Sequence, residues 1–130
     1  GIWREPLFLE CTLDETTGEP LTALAHRSAR RVFSAQTARA LRELLASVVT
    51  EGTGHEAAPT EDTAAGKTGT AQTGQFAAGK ELKNYWFAGF YPARNPRYTI
   101  VVLQDGQTGP SRTSAAIFAQ VCDALDAAGE

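Results

Sequence analysis

Tyr85-Trp86-Phe87-Ala88-Gly89-Phe90-Tyr91, closed by Pro92, and Tyr98-Thr99-Ile100-Val101-Val102-Leu103 decide the fold class of this chain. Both runs are dense in aromatic and β-branched side chains, which suit a half-buried pleated surface. Pro92 ends the first run because proline cannot donate to a strand ladder. Asn95-Pro96 marks a turn between them. Two such runs on either side of a short turn predict an antiparallel hairpin. Upstream, Ala64 to Gln72 supplies a further strand-like segment, so residues 64–105 are expected to hold three consecutive strands.

Helices flank this block. Ser34 stands where an N-cap belongs, and Ala38, Leu41, Leu45, Val48 and Val49 follow at helical spacing. Leu44 widens the stripe, and Gly52 and Gly54 stop the helix expected over 32–52. Residues 55–66 are polar and Ala-rich and hold Pro59, as a loop would. Beyond the turn region Gln104–Pro110, Ser111 or Thr113 can cap a last helix within 111–128. Ile117, Phe118, Val121, Cys122 and Leu125 are its expected apolar face. Before Ser34 the pattern is weaker. Residues 6–14 alternate at period two, Glu15–Gly18 is a turn, and Pro20–His26 can return as a hairpin. His26–Arg31 is basic and expected to be a solvated connector. The order predicts one α+β domain over 1–130, with helices packed on an antiparallel sheet.

Composition narrows the function. The chain has 130 residues, 42% hydrophobic and 21% charged, with formal net charge −3. An acidic balance argues against a nucleic-acid scaffold. Two cysteines, Cys11 and Cys122, and two histidines, His26 and His55, give no disulfide framework and no metal set, so no metal or other cofactor is expected. No apolar run approaches the roughly 20 residues that cross a bilayer, so no membrane contact by this chain is expected. The chain begins at Gly1 and contains no Met, as expected of a segment of a longer product.

Gly66-Lys67-Thr68 is where the chemistry concentrates. A phosphate loop needs a glycine five positions before Gly66, and Glu61 stands there with a charge of the wrong sign. Nor is Thr70–Gln75 the start of an amphipathic helix. The other reading is a Lys-Thr-Gly strand at an acyl-transfer site. Thr68 and Thr70, two apart on a strand, project from one face and can both donate hydroxyls. Gly69 between them lets a substrate backbone approach without a Cβ in the way. Lys67 adds positive potential.

The flanks lengthen this motif. Val48-Val-Thr-Glu-Gly-Thr-Gly54, then residues 65–72, then Trp86-Phe-Ala-Gly-Phe-Tyr-Pro92 and Asn95-Pro-Arg-Tyr-Thr-Ile-Val-Val-Leu103 together resemble the C-terminal part of the transpeptidase domain of class B penicillin-binding proteins. The resemblance runs from about Pro6 to Leu125. It implies an incomplete penicillin-binding fold and a fragment of a peptidoglycan D,D-transpeptidase of the bacterial cell wall, on the extracytoplasmic face of the membrane. Lys67 is then the catalytic residue, and Thr68, Gly69 and Thr70 bind substrate, with the Thr70 N–H as an oxyanion donor. The implied partners are a stem peptide ending in D-Ala-D-Ala and β-lactams. The family's nucleophile lies in Ser-x-x-Lys, and no serine here has a lysine three positions on. Its Ser-x-Asn is missing too, so the chain alone is expected to be inactive. Two rivals stand beside this reading: a β-lactamase or β-lactam sensor fragment, and a non-catalytic module that keeps the fold. Thr70-Ala-Gln and the Tyr91-Pro-x-x-Asn-Pro-Arg turn favour the synthases. The family fold also implies that Tyr98–Leu103 lacks its outer neighbour here and offers a bare edge for self-association.

The remaining candidates read as structure. His55 and the pair Glu61-Asp62 belong to a loop. Trp86, Phe87, Phe90 and Tyr91 fill a core, and Cys122 is a buried free thiol. Gln72 and Gln75 receive no role.

Overall fold

A computed structural model describes residues 1–7, 9, 11–23 and 28–129. In chain order the elements are strands β1 (Ile2–Arg4), β2 (Cys11–Leu13), β3 (Pro20–Ala23) and β4 (Ala29–Arg31), helix α1 (Ala35–Thr50), and a single 3₁₀ turn at His55–Ala57. Strands β5 (Ala65–Ala77), β6 (Lys80–Tyr91) and β7 (Tyr98–Gln107) and helix α2 (Ser114–Ala127) follow. The chain divides into two compact units, Gly1–Arg39 and Ala40–Glu130.

The first unit is built of two short antiparallel ribbons, β1 with β4 and β2 with β3. Asp14 makes the β2–β3 turn: its carboxylate accepts the N–H groups of Thr16 (2.9 Å) and Thr17 (2.8 Å). Those two donors, Thr17 first, hold the Asp14 carboxyl below its ordinary value. The hairpin expected around Glu15–Gly18 is there, but its paired part is only Cys11–Leu13 and Pro20–Ala23. Phe8, Glu10 and residues 24–27, His26 included, lie outside the described residues. Part of the expected connector is a strand instead: Ala29–Arg31 pairs with Ile2–Arg4, and Arg30 stacks over the Trp3 ring at 5.6 Å.

Ser34 caps α1, its hydroxyl accepting the Thr37 N–H at 3.0 Å. The helix stops before Gly52, where a Cβ would lie 2.9 Å from the Val48 Cα. The apolar stripe on α1 is buried only at its C-terminal end: Val49 is buried, whereas Leu41 and Leu44 stay exposed.

In the second unit β5, β6 and β7 form one antiparallel sheet in that order, and α2 packs against β6 and β7. The fold class is therefore the one expected, α+β with three consecutive antiparallel strands. Alternation sorts the side chains. Phe87 and Tyr91 of β6 point into the core, joined by Phe118 and Cys122 of α2 and edged by Tyr98, Ile100 and Val102 of β7. The Phe87 and Phe118 rings meet at 4.7 Å, tilted by 57°. Trp86, Val101 and Leu103 lie on the other face and are exposed. Of the four aromatics expected to fill the core, then, Phe87 and Tyr91 do, Phe90 is half-buried and Trp86 is not. On α2 the buried positions are Ser114, Ala115, Phe118, Ala119 and Cys122. Val121 is exposed and Ile117 and Leu125 are half-buried, because the stripe that α2 buries is Ala115, Phe118, Ala119 and Cys122 at helical spacing and these three lie off it.

α2 is fastened at both ends. Thr113 caps it, accepting the Ala116 N–H at 3.1 Å, and Ser114 donates to the Tyr85 carbonyl at 2.9 Å. At the far end the Tyr91 hydroxyl donates to Asp126 at 2.5 Å. Burial, with the Asp126 carboxylate next, holds the Tyr91 phenol above its ordinary value.

Candidate active-site wall on strand β5

Lys67, Thr68, Gly69 and Thr70 occupy the first half of β5, opposite Ala88, Phe87, Trp86 and Tyr85 respectively. Register fixes their faces. Thr68 and Thr70 lie on the side that carries α2, with Phe87 and Tyr85, and Lys67 and Gly69 lie on the side of Ala88 and Trp86. β5 has β6 on one side and no strand on the other among the described residues, so its backbone is open along this edge. Lys67 is exposed, and its ammonium turns back over its own strand to donate to the Thr68 hydroxyl and carbonyl, both at 3.1 Å. Cation and hydroxyl are thereby held together although their Cβ atoms point to opposite faces.

Thr68, Gly69 and Thr70 form one wall of a cleft of about 440 Å³. Tyr85 and Trp86 continue that wall, Thr53 and Glu56 face it from the segment that follows α1, and Gly109, Pro110 and the start of α2 close the end. Thr53 brings its hydroxyl to 3.4 Å from that of Thr68. Glu56 accepts from Thr113 at 2.5 Å, so its carboxylate is tied to the helix cap. Sequence reading missed Thr53, Glu56 and Ser114. They reach the cleft through contacts spanning 15 to 57 residues, which no local spacing reports.

Two glycines on β5 contrast. A Cβ on Gly66 would lie 2.6 Å from the Phe87 ring and 2.7 Å from the Ala88 carbonyl oxygen, so packing demands glycine there. A Cβ on Gly69 would meet its nearest neighbour, the Trp86 Cβ, at 3.4 Å, an ordinary contact. Nothing within the fold requires glycine at 69.

The other candidates stand as follows. His55 sits in the 3₁₀ turn, and Glu61 and Asp62 are exposed in the loop. Gln72 donates to Glu81 at 2.7 Å on the exposed hairpin arm. Cys122 is a free, fully buried thiol, pushed up to about 12 first by burial and then by the Asp123 and Asp126 charges. No group of three or more metal-ligating side chains occurs among the described residues.

A three-stranded antiparallel sheet backed by a C-terminal helix, with Lys-Thr-Gly on its open edge, defines a class that the comparisons identify. Residues 1–123 match the model of the penicillin binding protein transpeptidase domain, and the chain belongs to that family. It is 38% identical over 110 residues to the penicillin-binding protein PbpB of Mycolicibacterium smegmatis, covering 73% of this chain and 17% of that protein. It is 32% identical over 124 residues to the stage V sporulation protein D of Bacillus subtilis, covering 93% and 19%. Among solved structures, the D,D-transpeptidase domain of a peptidoglycan glycosyltransferase from Eggerthella lenta superposes with a TM-score of 0.65 at 29% identity, covering 92% of this chain and 27% of that one. The chain thus spans less than a fifth of the curated relatives it matches.

Proposed function

We propose that this chain supplies the Lys-Thr-Gly wall of a peptidoglycan D,D-transpeptidase acting outside the bacterial cell membrane, within a parent anchored by an N-terminal segment. The carrying observation is the Lys67 ammonium on the Thr68 hydroxyl at 3.1 Å, beside a glycine that the fold does not need. The donor substrate is a stem peptide ending in D-Ala-D-Ala. Thr68 and Thr70 donate to its terminal carboxylate, Gly69 admits its backbone, and the Thr70 N–H faces the carbonyl oxygen where charge develops. A serine outside this chain forms an ester with the penultimate carbonyl carbon, the amide C–N bond breaks, and D-Ala leaves with the proton. An acceptor amine then forms the new amide, the ester C–O bond breaks, and a proton returns to the serine. β-Lactams acylate the same serine.

Fluorescent penicillin labelling of the full-length parent tests this. Lys67→Ala is expected to slow acylation by roughly 10²-fold, the scale of losing one electrostatic stabiliser at an acyl-transfer site, with melting unchanged. Near-normal labelling would reduce Lys67-Thr68-Gly69 to an ordinary surface strand. The 130-residue chain alone is expected to gain no penicillin mass, since it contains no Ser-x-x-Lys. Self-association is part of the same reading. β7 has β6 on one side and no strand on the other among the described residues, which supports pairing of two copies along Tyr98–Leu103. Sedimentation as a monomer, with slow amide exchange across Tyr98–Leu103, would exclude it.

A further inference from the structure

Ser114 is the one buried polar residue among those described, 3% exposed. Its hydroxyl donates to the Tyr85 carbonyl at 2.9 Å and accepts from the Gln104 amide at 2.9 Å, and Gln104 also donates to the Arg112 carbonyl at 3.1 Å. Tyr85 stands in register with Thr70 on one side and with Gln104 on the other. Just beyond this rung the β6–β7 ladder breaks. Asp105 and Gly106 together oppose Asn84, Gly106 adopts φ +60°, and its N–H goes to the Asn84 side chain at 2.9 Å. A bulge of this kind withdraws strand partners from the backbone beside it, and an unpartnered buried carbonyl is costly. Ser114 gives the Tyr85 carbonyl a side-chain donor at the rung that backs Thr70.

We infer that Ser114 is a positioning residue for acyl transfer, acting through Tyr85 on the Thr70 backbone. This rests on the transpeptidase reading above. Ser114 and Thr70 both line the cleft, yet Ser114 spends its hydrogen on β6 and so acts through the strand. Without the hydroxyl, the Tyr85 rung loses its tether beside a broken ladder, and Thr70 shifts with it. Acyl transfer is sensitive to such shifts, since a misplacement of about 1 Å can cost about 10²-fold.

The test uses the full-length transpeptidase, separating the non-covalent affinity for a fluorescent penicillin from the acylation rate constant, with melting measured alongside. Ser114→Ala is expected to lower the rate constant about tenfold or more while affinity stays within about threefold. Gln104→Ala leaves the Ser114–Tyr85 bond but removes the donor that orients the hydroxyl, and is expected to fall between Ser114→Ala and wild type. Cys122→Ala, on the same helix and fully buried, is expected to lower melting and leave the rate constant of the folded enzyme within about twofold. A wild-type rate constant for Ser114→Ala, or an equal slowing by Cys122→Ala, overturns the inference. Should Ser114→Ala fail to fold, a wild-type rate constant for Gln104→Ala overturns it alone. A wild-type enzyme that penicillin does not acylate instead overturns the transpeptidase reading.

Discussion

The two compact units of this chain both contain antiparallel strands and differ in what those strands bury. In Gly1–Arg39 none of the residues whose burial is described is buried; Leu13 and Leu21 lie open, and the strands are three or four residues long. In Ala40–Glu130 the strands run for ten to thirteen residues, and Phe87, Tyr91, Phe118 and Cys122 are sealed between sheet and helix. Two-stranded ribbons are marginal by themselves, whereas a three-stranded sheet with a helix on one face can hold its own core. The difference teaches where rigidity resides: Lys67–Thr70 stands on the well-packed unit, opposite strand β6 that carries its largest core side chains.

The strongest way to break that contrast is to cut into each unit in turn. Phe87→Ala should cost about 3–5 kcal/mol in denaturant titration, the range for a buried phenylalanine. Leu13→Ala, at a side chain 57% exposed, should stay within about 0.5 kcal/mol. Comparable losses would place the core elsewhere. A finer cut separates packing from function on a single strand. Gly66→Ala should destabilise by about 1–3 kcal/mol, because the new methyl meets the Phe87 ring and backbone. Gly69→Ala should leave melting nearly unchanged yet slow penicillin acylation of the full-length parent.

Alkaline titration sharpens the contrast by pH. The Cys122 thiol is raised in the folded chain, so its contribution to stability is complete below the unfolded thiol value of about 8.5 and is lost as pH rises toward about 12. Tyr91 shifts in the same direction. Melting temperature should therefore fall above about pH 9, and at neutral pH a thiol reagent should label half-buried Cys11 well before Cys122. Equal labelling would mean that the core opens as readily as the ribbons. The smallest effect is expected at the β5–β6 turn, where Ala78 (φ +49°) and Gly79 (φ +75°) both adopt left-handed backbone. Asparagine suits such a position better than alanine, and Ala78→Asn should raise stability by about 0.5–1 kcal/mol.

The sequence disclosed what local chemistry encodes. The aromatic and β-branched runs became β6 and β7, and Ser34 and Thr113 cap helices as their positions imply. The β1–β4 ribbon was illegible, since Ile2–Arg4 and Ala29–Arg31 are too short to show a period. β5 runs on past Gln72 to Ala77 through a stretch punctuated by Gly74, because an irregularity between Gln72 and Phe76 absorbs the extra residues. At the candidate site the motif on β5 was visible. The opposing side of the cleft was not, because Glu56 and Ser114 get there only through the fold.

The double fastening of α2 has a consequence for length. Between its two anchors the helix advances twelve residues, Ser114 to Asp126, or roughly 18 Å at 1.5 Å per residue. Between the matching anchors β6 advances six, Tyr85 to Tyr91, or roughly 20 Å at strand rise. Helix and strand act as two rulers graduated differently and cut to nearly the same span. Inserting a single residue into α2 between those anchors would move one end by about 1.5 Å and turn it by about 100°, so that both anchors cannot close together. The exposed side chains along this stretch, such as Gln120 and Val121, have room to vary, but the count of residues between Ser114 and Asp126 does not.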